Sequence, residues 1–312
     1  METMMALRGH TQGGPEVLVY ESAPRPTPGN GEVLIAVHAA AITFAELTWP
    51  ETWASVDRTP IIPSHEFSGV VAEVGETVTG LSADDQVYGL APFDMDGAAA
   101  EYISVPATSV AARPRTVSHV VAAAAALPAL TAWEALVDHA DVQPGQRVLV
   151  HGGAGGVGSF VTQLATALGA GVTSTVQHAP DVAYVLGLGA ERVINVEQES
   201  LDAETGVFDA VIDAAGQDTP ECLFAALHRG GRLITLKEPP SQELANKYGV
   251  TALFFIVTAD QDRLAQLADM IDTGKLKVSV AATFPLAEGR AAYESGTIRR
   301  RHPGKTVLVV RG

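Results

Sequence analysis

A cluster of glycines at residues 152–158 is the part of the sequence that points most directly to a chemistry. Three of them, Gly153, Gly155 and Gly158, satisfy the pattern G-x-G-x-x-G, with a short apolar strand (148–150) predicted before them and an amphipathic helix (159–168) after them. Without side chains, such a loop lets a pyrophosphate lie against backbone N–H groups at the positive end of a helix. The spacing predicts a dinucleotide-binding loop, the alternative being a glycine-rich turn without a ligand. The candidate binding residues are Gly153, Ala154, Gly155, Gly156, Val157 and Gly158.

The elements around this loop alternate between helix and strand. Ser118 is a plausible N-cap for an alanine-rich helix that runs through Ala126. Near-continuous apolar strands separated by helices indicate a parallel sheet that is covered on both faces. The predicted strands after the loop are 171–176, 192–195, 208–213, 231–236 and 253–257, and the helical stretches between them include 219–228 and 241–248.

The two ends of the chain differ from this middle part, because they are predicted to contain mainly strands. The first third contains strand-like runs bounded by Gly and Pro, and further strands are expected near the C-terminus, at 277–284 and 306–310. We therefore predict an α/β protein with a doubly wound parallel sheet and a separate β domain. The nucleotide-binding domain, 118–259, is inserted between two parts of the β domain, 1–117 and 260–312.

Composition limits the classes of partner. The 312 residues are too many for one ordinary core, and the 47% of hydrophobic residues supports a packed globular protein. No apolar run free of Gly, Pro and polar residues is expected to cross a bilayer, and residues 1–9 do not resemble a signal peptide, so we expect a cytoplasmic protein. The net charge of −16 argues against nucleic acid or an anionic membrane as a partner. Cys222, the one cysteine, cannot form an internal disulfide.

Several short motifs occur along the chain in a fixed order. They are Ser64-His65-Glu66 followed by Gly69 and Val71 (G-H-E-x-x-G-x-V with Ser for the first Gly), Leu127-Pro128, Pro144-Gly145, the glycine cluster, Leu188-Gly189-Ala190, Gly230-Gly231 and Gly304-Lys305. Together they resemble the medium-chain dehydrogenase/reductase superfamily, and most closely its zinc-free quinone oxidoreductase branch, related to zeta-crystallin. The resemblance covers essentially the whole chain. It implies a GroES-like β domain plus a Rossmann domain, and a homodimer joined edge to edge through the Rossmann sheets.

Zinc-dependent relatives hold their metal through an early Cys, the His of G-H-E and a further acidic or thiol ligand. Here the early position falls within residues 42–46, which contain no Cys, and the structural zinc loop is absent. Two carboxylates and an imidazole, from Glu46, Glu66 and His65, could ligate zinc in principle. With no thiolate or second His beside them, we expect no metal, and we interpret His65 and Glu66 as hydrogen-bonded structural remnants.

The expected reaction follows from the missing Lewis acid. Without a metal to stabilise an alkoxide, alcohol oxidation is hard, whereas hydride addition to an electron-poor acceptor asks less of the protein. The sequence and the resemblance together predict an NADPH-dependent reductase that transfers hydride to a quinone or an α,β-unsaturated carbonyl. The alternative is a redox-silent family member that binds a ligand, or promotes a non-redox step such as cyclisation, in the same cleft.

NADPH is favoured over NADH because no acid lies at the tip of the second parallel strand, where NAD-selective folds hold the ribose 2′-OH. Ser174 and Gln177 can donate hydrogen bonds there, and His178 adds charge when it is protonated. The sequence departs from the family's NADPH users at Ala179-Pro180 and at Val196. In some relatives an Arg before the last strand reaches the phosphate, and Arg300 is closest by spacing, with Arg299, Arg301 and Lys305 nearby. The alternative for this run is a solvated loop of like charges.

The resemblance also implies the residues that face the reaction. Thr43 occupies the position of an Asn that approaches the nicotinamide, and its hydroxyl is our candidate catalytic group and proton route, with bound water as the alternative. Glu46, Trp49, Trp53 and Phe255 are candidate substrate contacts, although packing of the tryptophans onto the β domain is an equal alternative. The further candidate cofactor contacts are Thr131, Ala214, Ala215, Phe254, Phe255 and Val257. For the dimer, we expect residues 233–236 or 253–257 to form the edge strand.

Overall fold

The computed structural model describes residues 2–53, 59–215, 219–298 and 302–311. The chain divides into two compact units. The first combines Met1–Leu127, Thr258–Gly274 and Val278–Gly312, and the second combines Pro128–Val257 with Lys275–Lys277. Gln163 fixes this last short return to the second unit, because its side-chain amide bonds both the N–H and the carbonyl of Lys277, at 2.7 and 3.0 Å.

The regular elements are as follows. The strands are β1 (Thr3–Gly9), β2 (Leu18–Pro24), β3 (Glu32–Ile42), β4 (Glu66–Val74), β5 (Gln86–Leu90), β6 (Tyr102–Pro106), β7 (Val110–Ala112), β8 (Arg147–His151), β9 (Gly171–Val176), β10 (Arg192–Asn195), β11 (Phe208–Asp213), β12 (Leu227–Thr235), β13 (Thr251–Phe254), β14 (Val280–Pro285) and β15 (Lys305–Val309). The α-helices are α1 (His119–Ala123), α2 (Ala126–Trp133), α3 (Gly156–Ala167), α4 (Asp181–Leu186), α5 (Glu221–Ala226), α6 (Gln242–Tyr248), α7 (Gln261–Asp272) and α8 (Gly289–Glu294). Short 3₁₀ turns lie at Pro15–Val17, Glu46–Thr48, Glu51–Trp53, Ala107–Ser109, Leu201–Glu204, Leu286–Glu288 and Ser295–Thr297, and a π-helical turn lies at Glu134–His139.

The first unit is built around β3. Its sheet runs β14-β15-β3-β4-β5-β7, with β6 also paired to β3, while β1 and β2 form a separate antiparallel pair. Val33, Ile35 and Val37 of β3 enter one buried apolar core, and Ala39 and Ala41 enter another. Because both faces of the strand are buried, it reads as a long Val/Ile/Ala run. The alanines of α1 pack on Ala39, Ala41 and Val307, where small side chains let the helix approach the sheet.

The end of β3 is where this unit brings polar residues together. Ala41 pairs with Glu66 at the start of β4, and Ile42 pairs with Thr306 at the start of β15. Both neighbours run antiparallel to β3, so their first residues meet its last ones. Thr43, Glu66 and Lys305 therefore arrive at the same edge of the sheet.

The second unit contains a six-stranded parallel sheet in the order β10-β9-β8-β11-β12-β13. Strand β8 is fully buried from Val148 to Val150. The chain leaves β8 in one direction through β9 and β10 and in the other through β11, β12 and β13, which is the doubly wound arrangement. The predicted fold class is confirmed, and the topology places the switch point at the carboxyl ends of β8 and β11.

Several predicted boundaries change. The helix after the glycine cluster begins at Gly156 rather than at residue 159, and α5 ends at Ala226 because Leu227 and His228 already belong to β12. Of the two candidate edge strands, 233–236 is wrong, since β12 is paired on both sides. The edge is β13. Ser118 is the N-cap of α1, as predicted, and its side chain accepts from the N–H of Val121.

One stretch of helix contradicts an expectation from composition. Among the described residues, His119–His139 is long and apolar enough to cross a membrane by these two criteria alone. Of its most apolar window, 72% is buried inside the protein, which is typical of a core helix.

Candidate active site

The glycine cluster forms a loop between β8 and α3 in the second unit. A Cβ at Gly158 would lie 2.1 Å from the Gly152 carbonyl oxygen, and one at Gly153 would lie 2.6 Å from Ser174 Oγ. Both contacts are closer than real Cβ atoms tolerate. Glycine is therefore needed at these two positions for the loop and the helix to pack.

Gly155 is different, because an added Cβ there would meet fewer and more distant protein atoms. It is exposed, and the nearest atom to an added Cβ is the Gly152 carbonyl oxygen at 3.2 Å. Gly155 is also the N-cap of α3, with no side-chain cap, and its carbonyl accepts the first helical bond, from Ser159. The N–H groups of residues 156–158 precede that bond and have no intrahelical partner. The loop thus offers an open cradle of backbone donors that fits a pyrophosphate.

Thr175 on β9 holds this loop in place. Its hydroxyl accepts from the Gly152 N–H at 3.0 Å, its carbonyl accepts from Gly153 at 2.9 Å, and His151 Nδ1 lies 2.8 Å from the hydroxyl. Burial lowers the pKa of His151 from its ordinary value. A neutral ring beside the loop adds no charge of its own.

The residues after β11 close the other side of the loop. The N–H of Ala214 bonds the His151 carbonyl at 3.0 Å, and Ala215 lies so near that a Cβ at Gly152 would be 2.7 Å from its own Cβ. Lys237 donates to the Ala215 carbonyl at 2.8 Å. The structure therefore brings Ala214 and Ala215 to the glycine loop, at the switch point of the sheet.

The candidate cofactor contacts at the end of β9 differ in burial and in their partners. The Ser174 side chain is fully buried, and its hydroxyl lies 2.9 Å from Thr162 Oγ1 on α3. It supports the loop from below, so the prediction that it donates to a 2′-phosphate is wrong. Gln177 is exposed, and His178 Nδ1 lies 3.4 Å from Glu197 Oε1. Arg300, with Arg299 and Arg301, lies outside the described residues.

The remaining cofactor candidates line different parts of the second unit. Thr131 on α2 and Val257 after β13 are buried. Phe254 ends β13 and is half-buried. The ring of Phe255 packs on that of His139, with centroids 4.5 Å apart. Their roles toward a ligand stay predictions.

Thr43 belongs to a buried polar cluster in the first unit. Its hydroxyl donates to Glu66 Oε1 at 3.1 Å and accepts from Lys305 Nζ at 2.9 Å, and Lys305 also donates to the same Glu66 oxygen. Burial raises the pKa of Glu66, while the Lys305 ammonium opposes that rise. Lys305 is 9% exposed, so it does not belong to a solvated loop of like charges.

Glu46 is the centre of a second buried cluster. Its carboxylate accepts from the Ser64 N–H at 2.9 Å, from the Thr43 N–H at 3.3 Å and from the phenol of Tyr293, and it lies 3.2 Å from His65 Nδ1. The side chain is 1% exposed. The prediction that Glu46 contacts substrate is therefore wrong, because protein donors occupy a carboxylate that solvent does not reach.

Ser64 shows why the motif around His65 has glycine at this position in the family. Its φ is +73°, in the left-handed region. Two hydrogen bonds hold it there, from its hydroxyl to the Ala41 carbonyl at 2.7 Å and from its N–H to Glu46.

The two tryptophans have different surroundings. Trp53 donates from Nε1 to the Leu47 carbonyl at 2.8 Å and packs against the core of the first unit. The structure therefore supports the packing alternative for Trp53, and its contact with a substrate stays a prediction. Trp49 is half-buried and meets the edge of Phe93, with ring centroids 5.6 Å apart.

No group of three or more His, Cys, Asp or Glu suited to a metal ion is found among residues 2–53, 59–215, 219–298 and 302–311. His65 lies beside Glu46, but both of its ring nitrogens face protein oxygens, Nδ1 that of Glu46 and Nε2 the Met95 carbonyl at 3.3 Å.

Comparisons with known proteins match both units. Residues 29–115 match the alcohol dehydrogenase GroES-like domain, and residues 188–308 match a zinc-binding dehydrogenase domain. The 2-methylene-furan-3-one reductase of Solanum lycopersicum is 32% identical, over 88% of this chain and 71% of that protein. The chain belongs to the medium-chain dehydrogenase/reductase superfamily.

Other relatives cover the chain more fully. The NADPH-dependent alkenal/one oxidoreductase of Arabidopsis thaliana is 30% identical, over 95% of this chain and 77% of that protein. The solved structure of the quinone oxidoreductase from Coxiella burnetii superposes with a TM-score of 0.91, at 29% identity, over 99% of this chain and all of that one. The chain is thus an oxidoreductase of a family whose members bind nicotinamide cofactors.

Sequence reasoning missed two residues of this medium-chain oxidoreductase. Lys305 was recognised only as part of a motif and grouped with nearby arginines, and Tyr293 gave no signal at all. Tyr293 lies 247 residues from Glu46, and Lys305 lies 262 residues from Thr43. The adjacent Gly304 was the available hint: its φ is +110°, and a Cβ there would lie 2.2 Å from the Ser279 carbonyl oxygen.

Proposed function

We propose that this chain is an NADPH-dependent, zinc-independent reductase that transfers hydride to a quinone or an α,β-unsaturated carbonyl compound. The observation that carries the proposal is the open cradle of backbone donors at Gly155, where an added Cβ would meet only the Gly152 carbonyl oxygen, at 3.2 Å. The names of the tomato, Arabidopsis and Coxiella proteins support the choice of acceptor. We also propose a cytoplasmic homodimer.

Zinc independence is supported by the chemistry of the donor set. A histidine ligand must offer a ring lone pair to the metal. Both nitrogens of His65 are directed at protein oxygens, and the Glu46 carboxylate is engaged by backbone and phenol donors. A metal could bind these residues only after those hydrogen bonds were broken.

The preference for NADPH is supported by the end of β9. Gln177 and His178 occupy the positions at which NAD-selective folds place a carboxylate for the ribose 2′-OH. His178 Nδ1 lies 3.4 Å from Glu197 Oε1. A 2′-phosphate would therefore meet hydrogen-bond donors before it met negative charge.

The residues of this chain divide the chemistry between them. The backbone of residues 153–158 holds the pyrophosphate, and the bound reduced nicotinamide supplies the hydride. The hydroxyl of Thr43, half-exposed at the end of β3, is the proposed proton route to the reduced acceptor. Trp49 offers an aromatic face for a flat acceptor.

The test is the loss of absorbance at 340 nm with purified protein, NADPH or NADH, and a panel of a benzoquinone, a naphthoquinone, an enone and an enal. Turnover of a quinone or an enone, faster with NADPH and unchanged after dialysis against a chelator, is the expected result. Tight NADPH binding without turnover of any acceptor would contradict the proposal and favour the redox-silent alternative.

A further inference from the structure

Lys305 is a buried lysine that contacts two polar groups. It is the first residue of β15 and 9% exposed, and its ammonium donates to Thr43 Oγ1 and to Glu66 Oε1. A structural ion pair would need only the contact to Glu66. The second contact joins the buried charge to the half-exposed Thr43 hydroxyl.

The hydrogen atoms of this cluster can be counted. The Thr43 hydroxyl has one proton, which it gives to Glu66, and it accepts one from Lys305. In this arrangement it offers only a lone pair to a substrate. If the hydroxyl turns its proton outward, Glu66 Oε1 keeps the bond from Lys305, so the cost is one hydrogen bond.

The second carboxylate oxygen of Glu66 explains why Lys305 stays in its charged form. Glu66 Oε2 is buried and has no hydrogen-bond partner within the described part of the chain. A buried anion with one bare oxygen depends on its cationic neighbour. Lys305 is therefore returned to its charged form after it gives up a proton.

We propose that Lys305 acts through Thr43 to supply the proton that completes reduction of an α,β-unsaturated carbonyl, which makes it a positioning residue behind the Thr43 hydroxyl. This inference rests on the proposed function. Hydride adds to the β-carbon, and the π electrons of the C=C bond move to form the enolate. The Thr43 O–H bond breaks as its proton bonds to the α-carbon, and a Lys305 N–H proton passes to Thr43 Oγ1. The neutral amine then takes a proton from water. A bound reduced nicotinamide would supply the hydride and with it the two electrons.

The test measures the configuration at the α-carbon. An α-methyl enone is reduced in D₂O, and the product is analysed by chiral chromatography and NMR. We expect the wild type and Thr43→Ser to place deuterium on one face. Thr43→Val and Lys305→Arg should give mixed faces, because a guanidinium keeps the charge beside Glu66 but does not release a proton. Lys247→Arg, at a surface lysine paired with Glu221, is the matched control and should behave as the wild type.

The ratio of enone turnover to quinone turnover distinguishes a loss of proton supply from a loss of folding. A quinone needs protons only on oxygen, which water supplies, so Lys305→Arg should lower the ratio of enone to quinone turnover by roughly 10²-fold, as expected for loss of a general acid. If the arginine variant does not fold, the charge-balanced pair Glu66→Gln with Lys305→Met takes its place. NADPH affinity, measured by fluorescence, should stay within about twofold of wild type, since Lys305 contacts no phosphate in this scheme.

Three results would overturn the inference. They are wild-type facial selectivity in Lys305→Arg, an equal loss of enone and quinone turnover, and a selective loss of NADPH affinity over NADH affinity, which would make Lys305 a phosphate ligand. If the wild type reduces no enone at all, the proposed acceptor class fails first, and that result is distinguishable because it appears before any variant is made.

Discussion

Glu197 places a carboxylate close to the end of β9, where the ribose 2′ group of a bound cofactor is expected. It lies 3.4 Å from His178 Nδ1 and is 53% exposed. We predict that Glu197→Gln improves NADPH affinity roughly two- to fivefold at low salt and leaves NADH affinity nearly unchanged, because only the 2′-phosphate feels the lost charge. Fluorescence titration with both cofactors measures the effect.

The control for this prediction is Glu199→Gln. Glu199 is 54% exposed and pairs with Arg192 instead of His178. It matches Glu197 in charge, exposure and position along the chain, so it should leave the NADPH-to-NADH ratio unchanged. Equal effects of both variants would mean that net charge, and not the placement of Glu197, determines the preference.

Single residues were predictable where the chemistry is local. The glycines of the loop could be identified because the pyrophosphate site needs them within one short segment. The buried clusters could not, since Glu46 and Glu66 accept hydrogen bonds from Tyr293 and Lys305, which come from the far end of the chain. Glu46 therefore appeared to be free for substrate. A carboxylate next to a turn has the same sequence pattern whether distant donors cover it or not.

At the scale of elements, the loop between β8 and α3 contains glycines in two different surroundings: Gly158 is closely packed, and Gly155 is open. A Cβ at Gly158 would collide with the Gly152 carbonyl, whereas one at Gly155 would meet nothing nearer than 3.2 Å. We predict that Gly155→Ala changes the free energy of unfolding by less than about 1 kcal/mol, as for an N-cap substitution, yet weakens cofactor binding at least about tenfold by filling the cradle.

Gly158→Ala is the matched variant within the same helix. Its Cβ must push α3 away from the loop, so we expect about 2 kcal/mol or more of lost stability in addition to lost binding. Denaturant unfolding and cofactor titration on both variants separate the two effects. Full cofactor affinity in Gly155→Ala would show that the loop does not hold a pyrophosphate.

Most elements followed from hydrophobic pattern, and the errors have a common cause. The sequence pattern predicts the start of α3 three residues late, because Gly156 and Gly158 have low helix propensity, although the helix accommodates both. Strand β12 begins at Leu227, before the Gly230-Gly231 pair that appeared to start it. Tertiary pairing with β11 extends the strand past residues that alone would indicate a turn.

For the whole molecule, the division into a β unit and a parallel-sheet unit was predictable because strand periodicity changes along the chain. The identity of the sheet edge was not, because order within a parallel sheet depends on crossover direction and not on composition. The structure leaves β13 at one edge and β10 at the other. Of these two edges, β13 is the one that the sequence analysis predicts at the dimer interface.

We predict a homodimer through β13, of about twice the 32.5 kDa chain mass by light scattering. Ile256, just beyond this strand, is 46% exposed, and Ile256→Arg should yield monomers by placing an unpaired charge in an apolar contact. Each chain carries a net charge of −16, so the two chains of a dimer repel each other. Added salt screens this repulsion and should lower the dissociation constant of the dimer.

Leu186 provides the control, since it is equally exposed, at 45%, but ends α4, which packs on β9 and β10 at the opposite side of the sheet. Leu186→Arg should remain dimeric with the same dissociation constant as wild type. If Leu186→Arg dissociates and Ile256→Arg does not, the β10 side forms the interface. If the wild type is a monomer at micromolar concentration in high salt, β13 is a free edge and must be protected by its short length alone.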